Sequence, residues 1–413
     1  TVSATSGTST IRFIGGATNN TVTNATISGS FNAAVATNGG NIYFATDAVT
    51  ANGNDNNTIS NNNIGPAGAN LPTKGVYSNG STTTTALFNS NNTISGNNIY
   101  DYFGAAVASA GVYIAGGSTD FTVSNNKFYQ TATRTQTTGA QHSAIWITGS
   151  SGNNHQITGN TIGFANSAGT GTYTFVGVSS SSVLIPIYLA VGSTTATSVQ
   201  GNTIAGISMS GAVSGTSSSA AFRGIYVSSG LTPIGNVTGN TIGSLSTAGS
   251  ISFSSSSASA ADVYGIFNFG SSNANYSNNN IGGFSLTNTS TGEVVFMGIR
   301  NWTLTTATTT IANNTIGGAA AGSITNNATA TASRVLGIQT EASTPTMTGN
   351  TIRNMSMVAG NTGTIASAAV IGINQQATST AGAVVSQNTI YALSNSHATA
   401  AVWVTGLNYN GPS

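Results

Sequence analysis

The sequence predicts a single all-β domain over residues 1–413, a parallel β-solenoid of about eleven to twelve coils. Three observations predict it. A six-residue pattern, apolar-x-x-Asn-x-apolar, recurs down the chain. A second column, usually Gly followed by an aliphatic residue, recurs with the same period. The text between is rich in Gly, Ser, Thr and Asn, which are weak helix formers, and charged helix partners are missing.

The first column opens with Val22–Ile27, which carries Ala25 in the Asn slot. The full copies place Asn62, Asn97, Asn126, Asn160, Asn202, Asn240, Asn279, Asn314, Asn350 and Asn388 in that slot. The copy around Asn240 begins at Val237 by this pattern. The closing apolar residue runs from Ile64 to Ile390, 326 residues over nine intervals, a period of about 36.

The second column includes Ile42, Val76, Val112, Ile145, Ile187, Ile225, Ile266, Ile299, Ile338, Ile373 and Leu407. From it to the next closing residue is 17 positions at Ile145–Ile162, and again at Ile225–Ile242. The return arc varies, from 12 at Ile64–Val76 to 25 at Ile162–Ile187. Insertions therefore collect on one side of each coil, as solenoids tolerate.

Each slot has a physical task. The short β-branched runs bounded by Gly and Asn read as strands. The first apolar residue points inward, and the next three residues turn a corner. Gly or Asn before the ladder Asn (Gly159, Gly201, Gly239, Gly349, Asn278, Asn313) suits the positive φ of a corner. Identical amides one coil apart can pair into a ladder, which makes their burial acceptable. Thr then faces out and Ile faces in, so Ile and Val stack into a core about 4.8 Å per coil.

Lys and Arg number 8, Asp and Glu 7, and the formal net charge is +1, against about a quarter charged in ordinary soluble domains. Disorder is the alternative reading of so polar a chain, and the regular apolar spacing argues against it. Nucleic-acid binding needs clustered basic residues, and no basic run exists. No 18-residue apolar run predicts a membrane-inserted helix. Cysteine is absent, so no disulfide or thiolate metal site can form. No signal-peptide pattern opens the sequence, as expected of a mature form or an excised segment. A near-neutral hydroxyl and amide surface fits the outside of a cell better than the cytosol.

The Asn corner, aliphatic stacks and variable return arc resemble the right-handed parallel β-helix repeat family, the pectate-lyase-like superfamily. The N-T-I-G wording, as in Asn160–Gly163, and the Ser/Thr/Asn padding look most like its bacterial surface and adhesin branch. The resemblance implies a single-stranded right-handed parallel β-helix at a bacterial surface, and the right-handed rule for parallel crossovers agrees on the hand. Family lyases resemble each other in using carboxylates, often with calcium, beside Arg or Lys.

The residues offer little such chemistry. Asp47, Asp55, Asp101, Asp120, Asp262, Glu293 and Glu341 are scattered, and none share a repeat slot. Asp101 and Asp120, with Lys127 and Arg134 nearby, form the best catalytic candidate; isolated solvated charges are the plainer reading. His142, His155 and His397 are too few and too far apart for a zinc site. No enzyme activity, metal or cofactor is expected.

One feature lies outside the core logic. Directly after the second aliphatic column come Tyr43, Tyr77, Tyr113, Trp146, Tyr188, Tyr226 and Phe267, then Arg300. Strand alternation points them outward as one stripe, with Arg300 closing it in cation–π range of Phe267. Three readings fit: cover by return-arc insertions such as 163–186, a contact surface for another subunit, or a platform for sugar rings. The outward Thr column (Thr161, Thr203, Thr241) is one residue wide, so the two-column Thr lattice of an ice-binding solenoid is absent from that strand.

Neither end shows an amphipathic cap helix, and residues 401–409 still read as a rung. Open rungs invite pairing. The expected function is an extracellular structural protein: a surface fibre, adhesin stalk or self-assembling filament subunit, partnered by itself. The alternative is a β-helix that binds or cleaves polysaccharide.

Overall fold

The computed structural model describes residues 2–3, 8–45, 52–302, 307–376 and 382–410. Among them the chain winds as a parallel β-solenoid with three long sheets of 11, 18 and 13 strands. The first sheet holds the strands before the Asn corner, such as Gln156–Thr158. The second holds those after it, such as Thr161–Gly163. The third holds the Gly-aliphatic column, such as Gln141–Ile147. The 11 strands of the first sheet mark one coil each. Helix is confined to three 3-10 turns, Thr85–Leu87, Ser217–Ser219 and Ile365–Ser367.

Register follows the repeat. Ile162 pairs with Ile204, Ile204 with Ile242, and Ile242 with Ile281. Ile145, Ile187, Ile225 and Ile266 form the matching column across the core. These residues are 0–4% exposed and belong to one continuous core. Burying each side chain contributes roughly 1.5–3 kcal/mol. The alternation of inward aliphatic and outward polar residues is therefore what fixes the register.

The corner amides form a ladder running from Asn62 to Asn388. The Nδ2 of Asn160 and its backbone N–H both donate to Asn202 Oδ1, at 2.9 and 3.0 Å. Asn202 does the same to Asn240, and its Nδ2 also donates to the Ile157 carbonyl one coil back, at 2.8 Å. Each buried amide thus spends both its oxygen lone pairs and both its N–H groups. Ala25 is tolerated at the first rung because its backbone N–H alone needs Asn62 Oδ1, at 3.0 Å. The residue before the ladder Asn is left-handed at Gly159, Gly201, Asn278, Asn313 and Gly349, with φ of 56–67°.

Two expectations about the Asn240 coil are corrected. Val237 is 79% exposed, and Ile234 takes its inward slot, paired with Val199 on one side and Tyr276 on the other. Gly239 is not left-handed. The chain carries extra residues between Ile234 and Asn240, so the turn is longer and Val237 sits on its tip. Gln200 holds that loop, its Oε1 accepting from the Val237 and Thr238 N–H groups at 3.1 Å.

The glycine before the second aliphatic column has a steric cause. A β-carbon on Gly265 would lie 2.5 Å from the Gly298 carbonyl oxygen and 2.9 Å from Ile281 Cγ2 across the core. Gly224, Gly298, Gly337 and Gly372 face the same squeeze. The third and second sheets approach so closely there that only hydrogen fits.

The return arc is more regular than its length suggests. It contains further strands of the second sheet, with Tyr173, Ile207, Ile251, Phe284, Ile324 and Met355 in one inward column. Insertions enter at every second coil, as loops 164–172, 244–250 and 317–323; the coils between turn directly.

Candidate functional site

The stripe is in register: Tyr43, Tyr77, Tyr113, Trp146, Tyr188, Tyr226, Phe267 and Arg300 follow one another coil by coil. Neighbouring ring centroids lie 4.9–5.9 Å apart. Both ends are nevertheless buried. Tyr43 and Tyr77 are 4% and 3% exposed, Tyr226 and Phe267 4% and 0%. Lys74 caps the first end, its ammonium 4.1 Å from the Tyr77 ring and donating to the Val35 carbonyl at 2.8 Å. Burial pulls its pKa down to about 7, while the carbonyl and ring favour the charged form.

At the other end, Tyr226 and Phe267 join a second apolar cluster with Val183, Ile185, Tyr264, Met297 and Leu336. Val183 lies on the third sheet itself, paired with Gln141, and Ile185 directly follows that strand. Arg300 lies 6.0 Å from the Phe267 ring and closer, 4.1 Å, to Trp302, and it pairs with Glu341 at 3.1 Å. Only Tyr113, Trp146 and Tyr188 stay half-exposed. Loops and neighbouring columns supply the cover, and no local pattern announces them.

A groove of about 770 Å³ runs on the second sheet. Thr203, Thr241 and Asn280 line its floor, Phe164 and Leu245 its walls, and Arg353 is the one charged side chain in its lining. It exists because the insertions alternate: loops 164–172 and 244–250 stand up with a directly turning coil between them. Phe164 is held at φ 65°, a strained setting for a side chain of that size. Sequence reading missed this groove, although the arc lengths carried the signal. On the first sheet, Thr21, Thr58, Thr93 and Thr122 pair in one outward column and Thr23, Ser60, Ser95 and Ser124 in a second. The two-column hydroxyl array missing from the post-corner strand is found there.

A second amide ladder also escaped the sequence reading. Asn20, Asn57 and Asn92 link at 2.9 and 3.0 Å, and Asn54 links to Asn89 at 3.1 Å. It was legible as Asn-Asn-Thr-aliphatic at 19–22, 56–59 and 91–94.

Five of the described carboxylates, Asp55, Asp101, Asp120, Asp262 and Glu341, serve a local contact. Asp101 pairs with Arg134 and accepts from Thr131 N–H and Oγ1 at 2.8 and 2.7 Å. Asp120 accepts from Asn154 Nδ2 at 2.7 Å, at a different corner. Asp55 accepts from Ser90, and Asp262 from Ser217 N–H and Tyr264. Asp47 lies outside the described residues. Among those described, no three His, Asp or Glu side chains gather as a metal set.

His142 and His155 are buried and neutral. Burial, aided by Arg134, pulls His142 down to about 3; burial pulls His155 down to about 4 against Asp120. The unfolded chain takes up these protons near the ordinary histidine value of about 6.5, while the folded chain refuses them until far lower. Stability is thus full above about pH 6.5 and falls as pH drops toward 4, by about 2–3 kcal/mol per histidine at pH 4.5. Thermal midpoints at pH 7.0 and 4.5 should show this, and His155→Gln should remove part of the difference.

No protein-family model, curated protein or solved structure matches the chain.

Proposed function

We propose that the protein is an extracellular structural solenoid, a surface fibre, adhesin stalk or filament subunit whose coils serve as stacking faces. One observation carries this reading. Each coil's apolar face is completed by the next coil: Ile338 pairs with Ile373 and Ile373 with Leu407, and Ile338 and Ile373 are 0% exposed. A coil of the same build, from a second copy or a longer parent chain, would continue the stack by the same burial and strand pairing. The near absence of net charge removes the repulsion that would oppose such stacking.

Electron microscopy tests it. One copy makes a rod about 50 Å long, from 11 first-sheet strands at about 4.8 Å each. The native protein should show longer rods, and Val404→Asp with Leu407→Asp should cut them to single length. Native rods of uniform single length at high concentration would sink the stacking reading.

A second reading, glycan binding without cleavage, draws on the groove and on half-exposed Tyr113, Trp146 and Tyr188. Hydroxyls on a floor, an aromatic wall and a single cation suit sugar rings, and no carboxylate lines the groove to cleave them. In the same assay, changing those three aromatics to Ser separates the cases. Shortened rods point to subunit contact, and lost glycan retention with intact rods points to sugar binding.

A further inference from the structure

Two inward columns that are apolar through the later coils begin with polar side chains, Ser109 and His142 in one and Tyr173 in the other. In the third sheet, His142 occupies the slot held by Leu184, Phe222, Val263, Phe296, Val335 and Val370 in the next coils. In the second sheet, Tyr173 occupies the slot held by Ile207, Ile251, Phe284, Ile324 and Met355. His142 and Tyr173 meet. Their ring centroids lie 5.8 Å apart, and both line one internal cavity with Tyr102, Phe128, Gln130 and Leu184.

Polar groups placed in a core need partners. His142 Nδ1 has one, Ser109 Oγ at 2.8 Å. Its Nε2 and the Tyr173 hydroxyl are both buried and bonded to no protein group. Gln130, which also lines the cavity, is occupied elsewhere: its Nε2 donates to the Tyr102 carbonyl, and its Oε1 accepts from Arg134 Nε. The space between offers about 10 Å³ to the centre of a water-sized sphere. That is the room one water needs, and two polar partners are the least it requires.

We propose that His142 Nε2 and the Tyr173 hydroxyl together hold one internal water molecule, which completes a chain Ser109–His142–water–Tyr173 through the core. Either tautomer of the imidazole fits. If Ser109 donates to Nδ1, Nε2–H donates to the water; if Nδ1–H donates to Ser109, Nε2 accepts from the water. The neutral state of His142 agrees with both. Nothing larger than water fits the space, so the site is structural: it lets two polar residues occupy columns whose later members are Leu, Phe, Val, Ile and Met.

A high-resolution crystal structure of the chain should show one ordered water within hydrogen-bond distance of both atoms. A dry cavity, or a direct bond between His142 and Tyr173, would overturn the proposal. Tyr173→Phe supplies the solution test, because it removes one of the two anchors and no apolar packing. Water-oxygen magnetic relaxation dispersion should count one long-lived water fewer in Tyr173→Phe than in the wild type, with a lower thermal midpoint. An unchanged count with an unchanged midpoint would also overturn it. Should that variant fail to fold, the wild-type crystal structure decides alone.

Discussion

Asn202→Ala should lower the thermal midpoint sharply, at a cost of roughly 3–5 kcal/mol. The change strips the acceptor from two buried donors of Asn160, its N–H and its Nδ2. It also removes the donors that Asn202 Nδ2 gives to Asn240 Oδ1 and to the Ile157 carbonyl. No water reaches these groups, since Asn160, Asn202 and Asn240 are all 0% exposed. Each stranded donor costs about 1–3 kcal/mol. Asn388→Ala removes the same acceptor from Asn350 at the last described rung. Asn388 is half-exposed, so water substitutes and the loss should stay near 1 kcal/mol. Circular dichroism melts of the two variants make the comparison. Equal losses at both sites would mean the ladder is not a buried relay.

The second large effect comes from the glycine column. Gly265→Ala puts a β-carbon 2.5 Å from the Gly298 carbonyl oxygen and 2.9 Å from Ile281 Cγ2. Flanking ladder pairings hold that backbone, so it cannot retreat cheaply. Overpacking of this kind costs about 1–3 kcal/mol, and the backbone clash places it at the upper end. Gly406 stands in the same slot of the last described coil, and a β-carbon there meets nothing within 4 Å. Gly406→Ala should therefore change stability by less than about 0.5 kcal/mol. The two substitutions are chemically identical. Only the presence of a coil above distinguishes them, so a matching loss in both would contradict the steric account.

Much of this architecture could be read from the chain because the repeat uses few residue types for fixed tasks. Ile162, Ile204 and Ile242 sit where the period places them, and the Asn slots align without exception from Asn62 onward. The error at Val237 shows the limit of counting back from the Asn. Val237 satisfied the pattern by chance, and only pairing with Val199 reveals that Ile234 holds the slot. The inner strands of the return arc, such as Ile251–Ser255, were hidden by their Ser content. The cover over Tyr43, Tyr77, Tyr226 and Phe267 was not legible either, because it comes from side chains such as Lys74, Ile185 and Met297 that sequence patterns do not bring together. The same holds for the groove, whose walls come from loops two coils apart. Role is the least legible part. Five of the described carboxylates are used in local contacts, and coil-on-coil stacking carries the functional reading.

Adjacent repeats lie directly over one another, coil on coil. The chain has no cysteine, so an engineered pair reports on distance without background. Thr203 and Thr241 face out on the second sheet as register partners one coil apart. Their α-carbons lie about 5 Å apart, inside the range a disulfide spans. Thr203 and Asn280 are two coils apart, about 10 Å, and beyond that range. Mass spectrometry after mild oxidation should find an intrachain disulfide in the Thr203→Cys, Thr241→Cys variant and none in the Thr203→Cys, Asn280→Cys variant. Free thiols in the first, or a bond formed as readily in the second, would contradict coil-on-coil stacking.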